Sequence, residues 1–325
     1  MKEKILNLLK SNEDYISGEE ISKLLGVTRS SVWKYINMLK KDNYIIDGIS
    51  NKGYKLISEP DLISINELKL KLATNFIGKE IHYFKEIPST NSTAKNLATK
   101  DALNGTLVLS EIQNLGKGRL GRTWNSPQGG IWASLILRPD IEPIHGPKIT
   151  LIAAAAEILT LESYNLKSEI KWPNDLLLNN KKISGILTEM SCDMDRINYI
   201  ILGFGMNINI SKENIPDDLK AKATSLSIEC GYKFNRTEFL SKYLQNFETL
   251  YSELIYNNSI SKTIDICRRS SMLIGKEIII TTRNKDETVL CIDIAPSGEL
   301  LVKDFLGNEK LIFSGEVSLS KNYLH

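Results

Sequence analysis

The chain has 325 residues, of which 42% are hydrophobic and 25% are charged. This length predicts about two or three domains, and the composition excludes the disordered, collagen-like and membrane-embedded classes of protein. Forty-one basic and thirty-nine acidic side chains nearly cancel. Any affinity for nucleic acid must therefore come from a local basic patch.

The cysteines and the apolar segments indicate the cellular compartment. Cys192, Cys230, Cys267 and Cys291 lie far apart with no CxxC pair, which argues against a zinc site and a disulfide framework. Lys10 interrupts the first apolar stretch too early for a signal peptide. No stretch approaches the roughly 18 consecutive apolar residues of a membrane span. We therefore expect a cytoplasmic protein that contacts no membrane.

Three short helices and two strands are predicted at the start of the chain. Ser17 has the capping-box spacing that begins a helix, and Gly26 ends that helix. Thr28 can cap the next helix, whose buried stripe is Val32, Ile36 and Leu39. Short strands at 44–46 and 54–57 follow around a turn. This order is typical of a helix-turn-helix with a wing.

The basic excess lies in the same region, because residues 1–58 carry ten basic and seven acidic side chains. The exposed face of the third helix would read base edges in a major groove, while Lys34 and the wing lysines face phosphates. The predicted DNA contacts are Arg29, Ser30, Trp33, Lys34, Asn37 and Lys52. The alternative is a protein-interaction domain with a solvated face. A short linker is predicted at 61–64.

A glycine-rich cationic segment, GKGRLGR at 116–122, follows a β-type segment at 105–110. It contains the GxGxxG of dinucleotide-binding folds, but Pro127 and the glycine pair that follows it prevent a helix from starting there, so a Rossmann fold is disfavoured. Three cations alternating with three glycines can close over an anion. Trp124 could stack on a base. The alternative is an exposed basic loop without a function.

A second polar constellation, KWPND at 171–175, lies between two apolar strands. Asn179 and Asn180 suit a hairpin turn, after which Lys182 begins the next strand. Lys171 and Lys182 would meet phosphates, and Asp175 could hold a metal ion or a hydroxyl group. A structural turn stabilised by Asn174 and Asp175 is the alternative.

Three further segments complete the pattern. The STN sequence at 89–91 precedes a predicted helix at 94–98 and is explained by capping alone. A strand at 200–202 runs into GFGMNIN, whose glycines allow a ligand to approach closely. Four short β runs after about Ile274 predict a small β-barrel. No cysteine or serine lies in a nucleophile-elbow context, so a covalent enzyme intermediate is not predicted.

In this order, the STN motif, Gln113, GKGRLGRTW, KWPND, KKISGIL at 181–187 and GFGMNIN at 203–209 resemble the biotin protein ligases. With a winged helix in front and a small β domain behind, nearly the whole chain resembles the bifunctional biotin operon repressors. The resemblance implies an α+β chain in three domains. These are an N-terminal winged helix-turn-helix (1–60), a central mixed α/β class II synthetase-like ligase domain (65–270) and a C-terminal SH3-like β-barrel (271–325).

The resemblance also implies a two-step reaction. Biotin and ATP with Mg²⁺ would give biotinyl-5′-AMP, and a lysine of a biotin carboxyl carrier domain would then take the biotin. The adenylate-bound protein would be a homodimer on operator DNA. The implied biotin contacts are Ser89, Thr90, Asn91, Gln113, Lys117, Gly118, Arg119, Lys182 and Gly185. The implied ATP and adenylate contacts are Arg122, Trp124, Lys171, Asn174, Asp175 and Asn207, with Arg119 and Lys182 catalytic and Asp175 a metal ligand.

The loop departs from the family pattern at two positions. Where the family usually has GRGRRGR, this chain has Lys117 and Leu120 in place of arginines. Lysine lacks the planar fork of arginine, so a bidentate contact at position 117 would be lost while a backbone contact survives. Two rival functions stay open: a transcription regulator that senses biotin or a nucleotide without turnover, and a lipoate ligase. The C-terminal domain could assist ATP and acceptor binding or be a structural cap.

Overall fold

The structure is a computed structural model that describes residues 1–42, 44–281 and 286–320. The chain divides into two compact units, Met1–Leu62 and Ile63–His325. Separate clusters of buried apolar side chains lie in the two units.

The first unit contains three helices and a two-stranded sheet. The helices are α1 (Lys2–Ser11), α2 (Gly18–Leu25) and α3 (Arg29–Lys41), and the strands are β1 (Ile45–Ile49) and β2 (Gly53–Ser58). Ser17 Oγ accepts a hydrogen bond from the Glu20 amide at 3.0 Å, and Thr28 Oγ1 accepts one from the Ser31 amide at 3.2 Å. Gly26 ends α2 at φ 64°. The predicted helix boundaries are therefore confirmed.

The core of this unit is aliphatic and comes from all of its elements. Its fully buried members include Ile5, Ile21, Val32, Ile36 and Leu39. The wing joins this core because the backbones of Ile16 and Tyr54 exchange hydrogen bonds of 3.0 and 2.9 Å. A Cβ on Gly53 would lie 2.1 Å from the Ile16 carbonyl oxygen. Glycine is therefore required where the wing crosses this segment.

The second unit is built on a seven-stranded sheet. Its strands are β3 (Ile81–Ile87), β4 (Thr106–Gln113), β5 (Ile131–Leu137), β6 (Glu169–Lys171), β7 (Asp175–Leu178), β8 (Lys181–Cys192) and β9 (Ile197–Met206). The order is β3-β4-β5-β9-β8-β7-β6. Only β3 and β4 form a parallel pair among these ladders of the described chain.

Both faces of this sheet are covered by helices. The helices are α4 (Ile65–Lys71), α5 (Thr90–Ala98), α6 (Lys148–Glu162), α7 (Leu226–Cys230), α8 (Arg236–Asn257) and α9 (Ser261–Arg269). Along β4, Leu107 and Leu109 belong to the main core with α6 and α8, whereas Val108 packs with Ala94 and Ala98 of α5. Side chains alternate between sheet faces, and both faces are covered, which explains why six of the eight residues of β4 are buried.

One helical region has the length and composition of a membrane span. It covers Pro143–Glu162, and 67% of its most apolar window is buried inside the protein. Helix α6 packs against α8, α9 and β8. A helix that is apolar all round is typical of a protein core as well as of a membrane, and here the packing identifies a core helix.

The chain ends in a five-stranded antiparallel sheet. Its strands are β10 (Glu277–Thr281), β11 (Asp286–Ile294), β12 (Leu300–Lys303), β13 (Glu309–Ile312) and β14 (Glu316–Leu319), in the order β13-β12-β11-β10-β14. Four of these strands were predicted, and β14 was not. The sheet is compatible with a small barrel. Within the described residues, no ladder joins β13 to β14 to close one.

Candidate active site

A cavity of about 390 Å³ collects nearly all of the predicted site residues. This volume lies within the range of small-molecule sites. The predicted residues that line it are Ser89, Thr90, Asn91, Gln113, Lys117, Gly118, Arg119, Arg122, Trp124, Asn174, Asp175, Lys182, Gly185 and Asn207. Lys171 is not among the lining residues. Burial lowers the pKa of its ammonium group, and the neighbouring Asp175 carboxylate opposes that shift.

A network of uncharged hydrogen-bonding groups forms one part of the cavity wall. Ser89 is the N-cap of α5, as the capping interpretation predicts. The amide and hydroxyl of Thr90 donate to Gln113 Oε1 at 2.7 and 3.0 Å. Ser134 Oγ lies 2.8 Å from Thr90 Oγ1 and 2.6 Å from Asn91 Oδ1. These bonds hold Thr90, Asn91 and Gln113 in fixed orientations.

Sequence reasoning missed the partners that bond to Thr90 and Asn91 in this network. Ser134 is fully buried in the apolar strand β5, and Glu189 Oε2 accepts a 2.7 Å hydrogen bond from Asn91 Nδ2. A serine inside an otherwise apolar run is a signal that could have found Ser134, because a buried hydroxyl requires a partner. Nothing in the local sequence around Glu189 indicates its contact with α5.

The glycines of β8 and β9 leave room for protein side chains as well as for a ligand. A Cβ on Gly203 would lie 2.1 Å from Asn91 Oδ1, and one on Gly205 would lie 2.4 Å from Trp124 Nε1. A Cβ on Gly185 would lie 2.9 Å from the Trp124 ring. The close approach predicted for these glycines is therefore made by Asn91 and by the Trp124 indole. That indole nitrogen is buried without a hydrogen-bond partner among the described residues.

Cations form the second part of the wall. Arg119 Nη1 donates to Asn174 Oδ1 at 2.6 Å, and Lys182 Nζ lies 2.7 Å from Asp175 Oδ1. Lys182 Nζ also lies 5.0 Å from the centre of the Trp124 ring, within the range of a cation–π contact. Arg122 pairs with Glu316 at 2.5 Å. Asn174 and Asp175 of KWPND therefore position the cations of the two other motifs.

The cationic loop closes on itself as a short turn. The amide of Gly118 donates to the Arg122 carbonyl at 2.7 Å, and the amide of Trp124 donates to the Gly116 carbonyl at 2.8 Å. Leu120 has φ 56°, in the left-handed region that non-glycine residues rarely adopt. Its side chain is 74% exposed. No helix starts after the loop, as predicted.

A further wall segment, residues 215–223, was not predicted from the sequence. It contributes Ile215, Leu219, Lys222 and Ala223 to the lining. Two backbone hydrogen bonds, Lys182 N to Lys222 O at 2.8 Å and Thr224 N to Lys182 O at 3.0 Å, hold it beside β8. Lys222 therefore adds another cation to the cavity, and its position depends on backbone pairing with Lys182, which is distant in the sequence.

The acidic residues of the lining are Asp175 and Glu316. In the part of the chain that the structure describes, no group of three or more His, Cys, Asp or Glu could hold a metal ion. Magnesium commonly uses one or two protein carboxylates and takes its other ligands from phosphates and water. Asp175 fits that pattern, whereas an all-protein metal site does not fit these residues.

The predicted DNA contacts lie in the first unit. Arg29, Ser30, Trp33 and Lys34 are exposed on α3, and Asn37 is half-buried one turn after Trp33. Lys52 is exposed in the turn between β1 and β2, with its ammonium 6.0 Å from the ring centre of Tyr15. Arg29, Ser30, Trp33 and Lys34 form a continuous exposed stripe, since residues three or four apart share a helix face.

Comparison with known proteins gives a match to each unit. Residues 83–207 match the Biotin/lipoate A/B protein ligase family, and residues 2–55 match an HTH domain. The chain is 39% identical to the "Bifunctional ligase/repressor BirA" of Bacillus spizizenii over 95% of both chains. Its relative of the same name in Escherichia coli is 24% identical over 97% of this chain and 96% of that protein.

A solved structure agrees with the match to the ligase family. A "Biotin protein ligase from Aquifex aeolicus in complex with biotin and ATP" has a TM-score of 0.64 and 29% identity, and the match covers 74% of this chain and 99% of that one. A helix-turn-helix domain and a biotin/lipoate-type ligase domain in one chain define a DNA-binding class of protein ligase. The chain belongs to the family of bifunctional ligase/repressors BirA. The predicted resemblance, α+β fold class and ligase activity are thereby confirmed, and the C-terminal sheet is compatible with the predicted SH3-like barrel.

Proposed function

We propose that the protein forms biotinyl-5′-AMP from biotin and ATP, and that it transfers the biotin to a lysine of a biotin carboxyl carrier domain. The observation that carries this proposal is that an uncharged hydrogen-bonding network and a set of cations meet in one cavity. A ring with amide-like groups suits the first part, and a carboxylate with phosphates suits the second.

Adenylate formation and biotin transfer both require the protein to position the reacting groups, and neither requires a covalent bond to the protein. In the first, a carboxylate oxygen of biotin bonds to the α-phosphorus of ATP, and the bond from that phosphorus to pyrophosphate breaks. In the second, the ε-nitrogen of the acceptor lysine bonds to the biotin carbonyl carbon, AMP leaves and the amine loses a proton. Arg119 and Lys182 would stabilise the phosphate charge that both steps redistribute.

The remaining lining residues would hold the two substrates. Ser89, Thr90, Asn91 and Gln113 would bind the biotin ring, and the loop backbone around Lys117 and Gly118, with Gly185, would face its carboxylate end. Trp124 would flank the adenine, and Arg122, Asn174 and Asn207 would lie around the nucleotide. When magnesium is bound, it neutralises phosphate charge, and Asp175 is the residue that would hold it.

The rest of the chain would link this chemistry to DNA. We place the DNA-binding part in residues 1–60, a linker at 61–64, the catalytic part in 65–270 and an assisting domain in 271–325. Repression would use operator DNA and an adenylate-bound homodimer. We also propose a cytoplasmic location, where thiols stay reduced, because all four cysteines are free. Burial raises the pKa of Cys267 and Cys291 to about 12, so these two thiols stay protonated.

Pyrophosphate release tests the ligase proposal. We expect release that depends on biotin, and biotin on a carrier-domain lysine. Lys182→Ala should lower kcat by about 100-fold or more, because it removes a cation from the reacting phosphates. Lys181→Ala is the matched control, since its side chain does not line the cavity. Biotin binding without pyrophosphate release would identify a sensor without turnover, and release with lipoate alone would identify a lipoate ligase.

A further inference from the structure

Ser126 connects the hydrogen-bonding network to the end of the cationic loop. Its side chain is 3% exposed, and it does not line the cavity. Gln113 Nε2 donates to Ser126 Oγ at 2.9 Å, and Ser126 Oγ donates to the Trp124 carbonyl at 3.1 Å. The backbone pairs as well, with the Gln113 amide donating to the Ser126 carbonyl at 3.1 Å.

The donors around Gln113 determine which way its amide faces. The backbone amide of Thr90 can only donate, so the atom 2.7 Å from it must be the oxygen Oε1. The nitrogen Nε2 must then face Ser126, whose oxygen accepts. The carbonyl of Trp124 can only accept, so it takes the Ser126 proton. The three hydrogen bonds from Thr90 through Gln113 and Ser126 to the Trp124 carbonyl therefore each have one possible donor.

The local backbone is shaped to keep Ser126 in this place. A Cβ on Gly116 would lie 2.4 Å from the Trp124 carbonyl oxygen and 2.7 Å from Ser126 Oγ. It would also lie 3.3 Å from Gln113 Nε2. Gly116 therefore leaves room for the Ser126 hydroxyl and the two groups that it joins.

We infer that Ser126 is a positioning residue that acts through Gln113, because its hydroxyl holds Gln113 Nε2 in place while the Thr90 amide holds Oε1. This inference rests on the proposed biotin-binding function. With Oε1 bonded to Thr90 and one Nε2 hydrogen bonded to Ser126, a single Nε2 hydrogen is left for the ligand. Without the Ser126 hydroxyl, the Gln113 side chain gains freedom that binding must then remove.

Biotin affinity and steady-state kinetics test this role. Ser126→Ala should weaken biotin binding, measured by calorimetry without ATP, by about 3- to 10-fold, the usual effect of one neutral hydrogen bond. It should raise the KM for biotin by a similar factor and leave kcat and the KM for ATP within about 2-fold. Ser241→Ala is the matched control, since Ser241 is also 3% exposed and its hydroxyl donates to the Glu238 carbonyl away from the cavity.

A double-mutant cycle separates positioning from a general effect on the fold. If Ser126 acts through Gln113, Ser126→Ala should change biotin affinity by less than about 2-fold in a Gln113→Ala background. Ser126→Cys keeps the shape of the side chain, with a slightly larger atom that accepts weakly, so it covers the case in which Ser126→Ala does not fold. Equal losses in both backgrounds, or unchanged biotin affinity, overturn the inference. A wild-type protein that does not bind biotin overturns the proposed function and this inference together.

Discussion

Arg119 shows how one motif residue is held by another. Its guanidinium donates to Asn174 at 2.6 Å and to the Gly315 carbonyl at 3.3 Å, and it is only partly buried. We predict that Arg119→Gly speeds dissociation of the adenylate by about 10- to 100-fold, because charge-assisted hydrogen bonds to phosphate are lost. Stopped-flow dissociation measures this rate. Arg196→Gly, outside the cavity, is the control. An unchanged dissociation rate in Arg119→Gly would show that Arg119 does not contact the phosphate.

Glu157 is a carboxyl group that the proposed chemistry does not use. It is fully buried on α6, where desolvation raises its pKa to about 8 although Ser184 donates to it at 2.7 Å. Because the folded pKa is above the unfolded one, its contribution to stability is complete below about pH 4.5 and is lost as pH rises to about 8.

Replacing this group should flatten the dependence of stability on pH. We predict that Glu157→Gln gains stability relative to wild type between pH 5 and pH 8, by on the order of a few kcal/mol. Urea denaturation at a series of pH values measures the difference. Glu142→Gln, an exposed carboxylate, should show no such trend. A constant difference between Glu157→Gln and wild type across this range would show that Glu157 does not titrate there.

The elements of this chain differ in how far the sequence alone predicts them. The β7–β8 hairpin was predicted because Asn179 and Asn180 tolerate positive φ, and they adopt 51° and 63°. The residues that determine this turn are adjacent in the chain, so the sequence alone shows them. Strand β14 and the segment at 215–223 were missed because long-range pairing with β10 and β8 places them. The same distinction holds in the site, where Gln113 was named from a motif and its partner Ser126 was not.

Helix α3 allows a test of the DNA interface. Lys34 is exposed on the same face as Ser30. We predict that Lys34→Ala weakens operator binding and reduces the slope of log K against log salt by about 0.9, because one fewer counterion is released. Lys23→Ala is the control, since Lys23 pairs with Glu19 on α2 at 2.9 Å. An unchanged slope would mean that Lys34 does not contact a phosphate.

Two compact units, each containing its own buried apolar cluster, raise the question of how a ligand in one affects DNA binding by the other. Dimerisation offers a route that needs no change inside the DNA-binding unit. A dimer presents two recognition helices to two half-sites of an operator, whereas a monomer presents one. If the adenylate favours the dimer, the supply of biotin sets the concentration of the DNA-binding species by mass action.

Linkage makes this mechanism testable in both directions. We predict that biotin with ATP shifts the protein from monomer to dimer in sedimentation velocity, and that the protein binds the adenylate more tightly as protein concentration rises, since the coupling of two binding equilibria is reciprocal. Lys34→Ala should dimerise like wild type and differ only in its weaker binding to DNA. If the protein dimerises to the same extent without ligand, adenylate formation does not control DNA binding. Repression would then not depend on biotin supply through dimerisation.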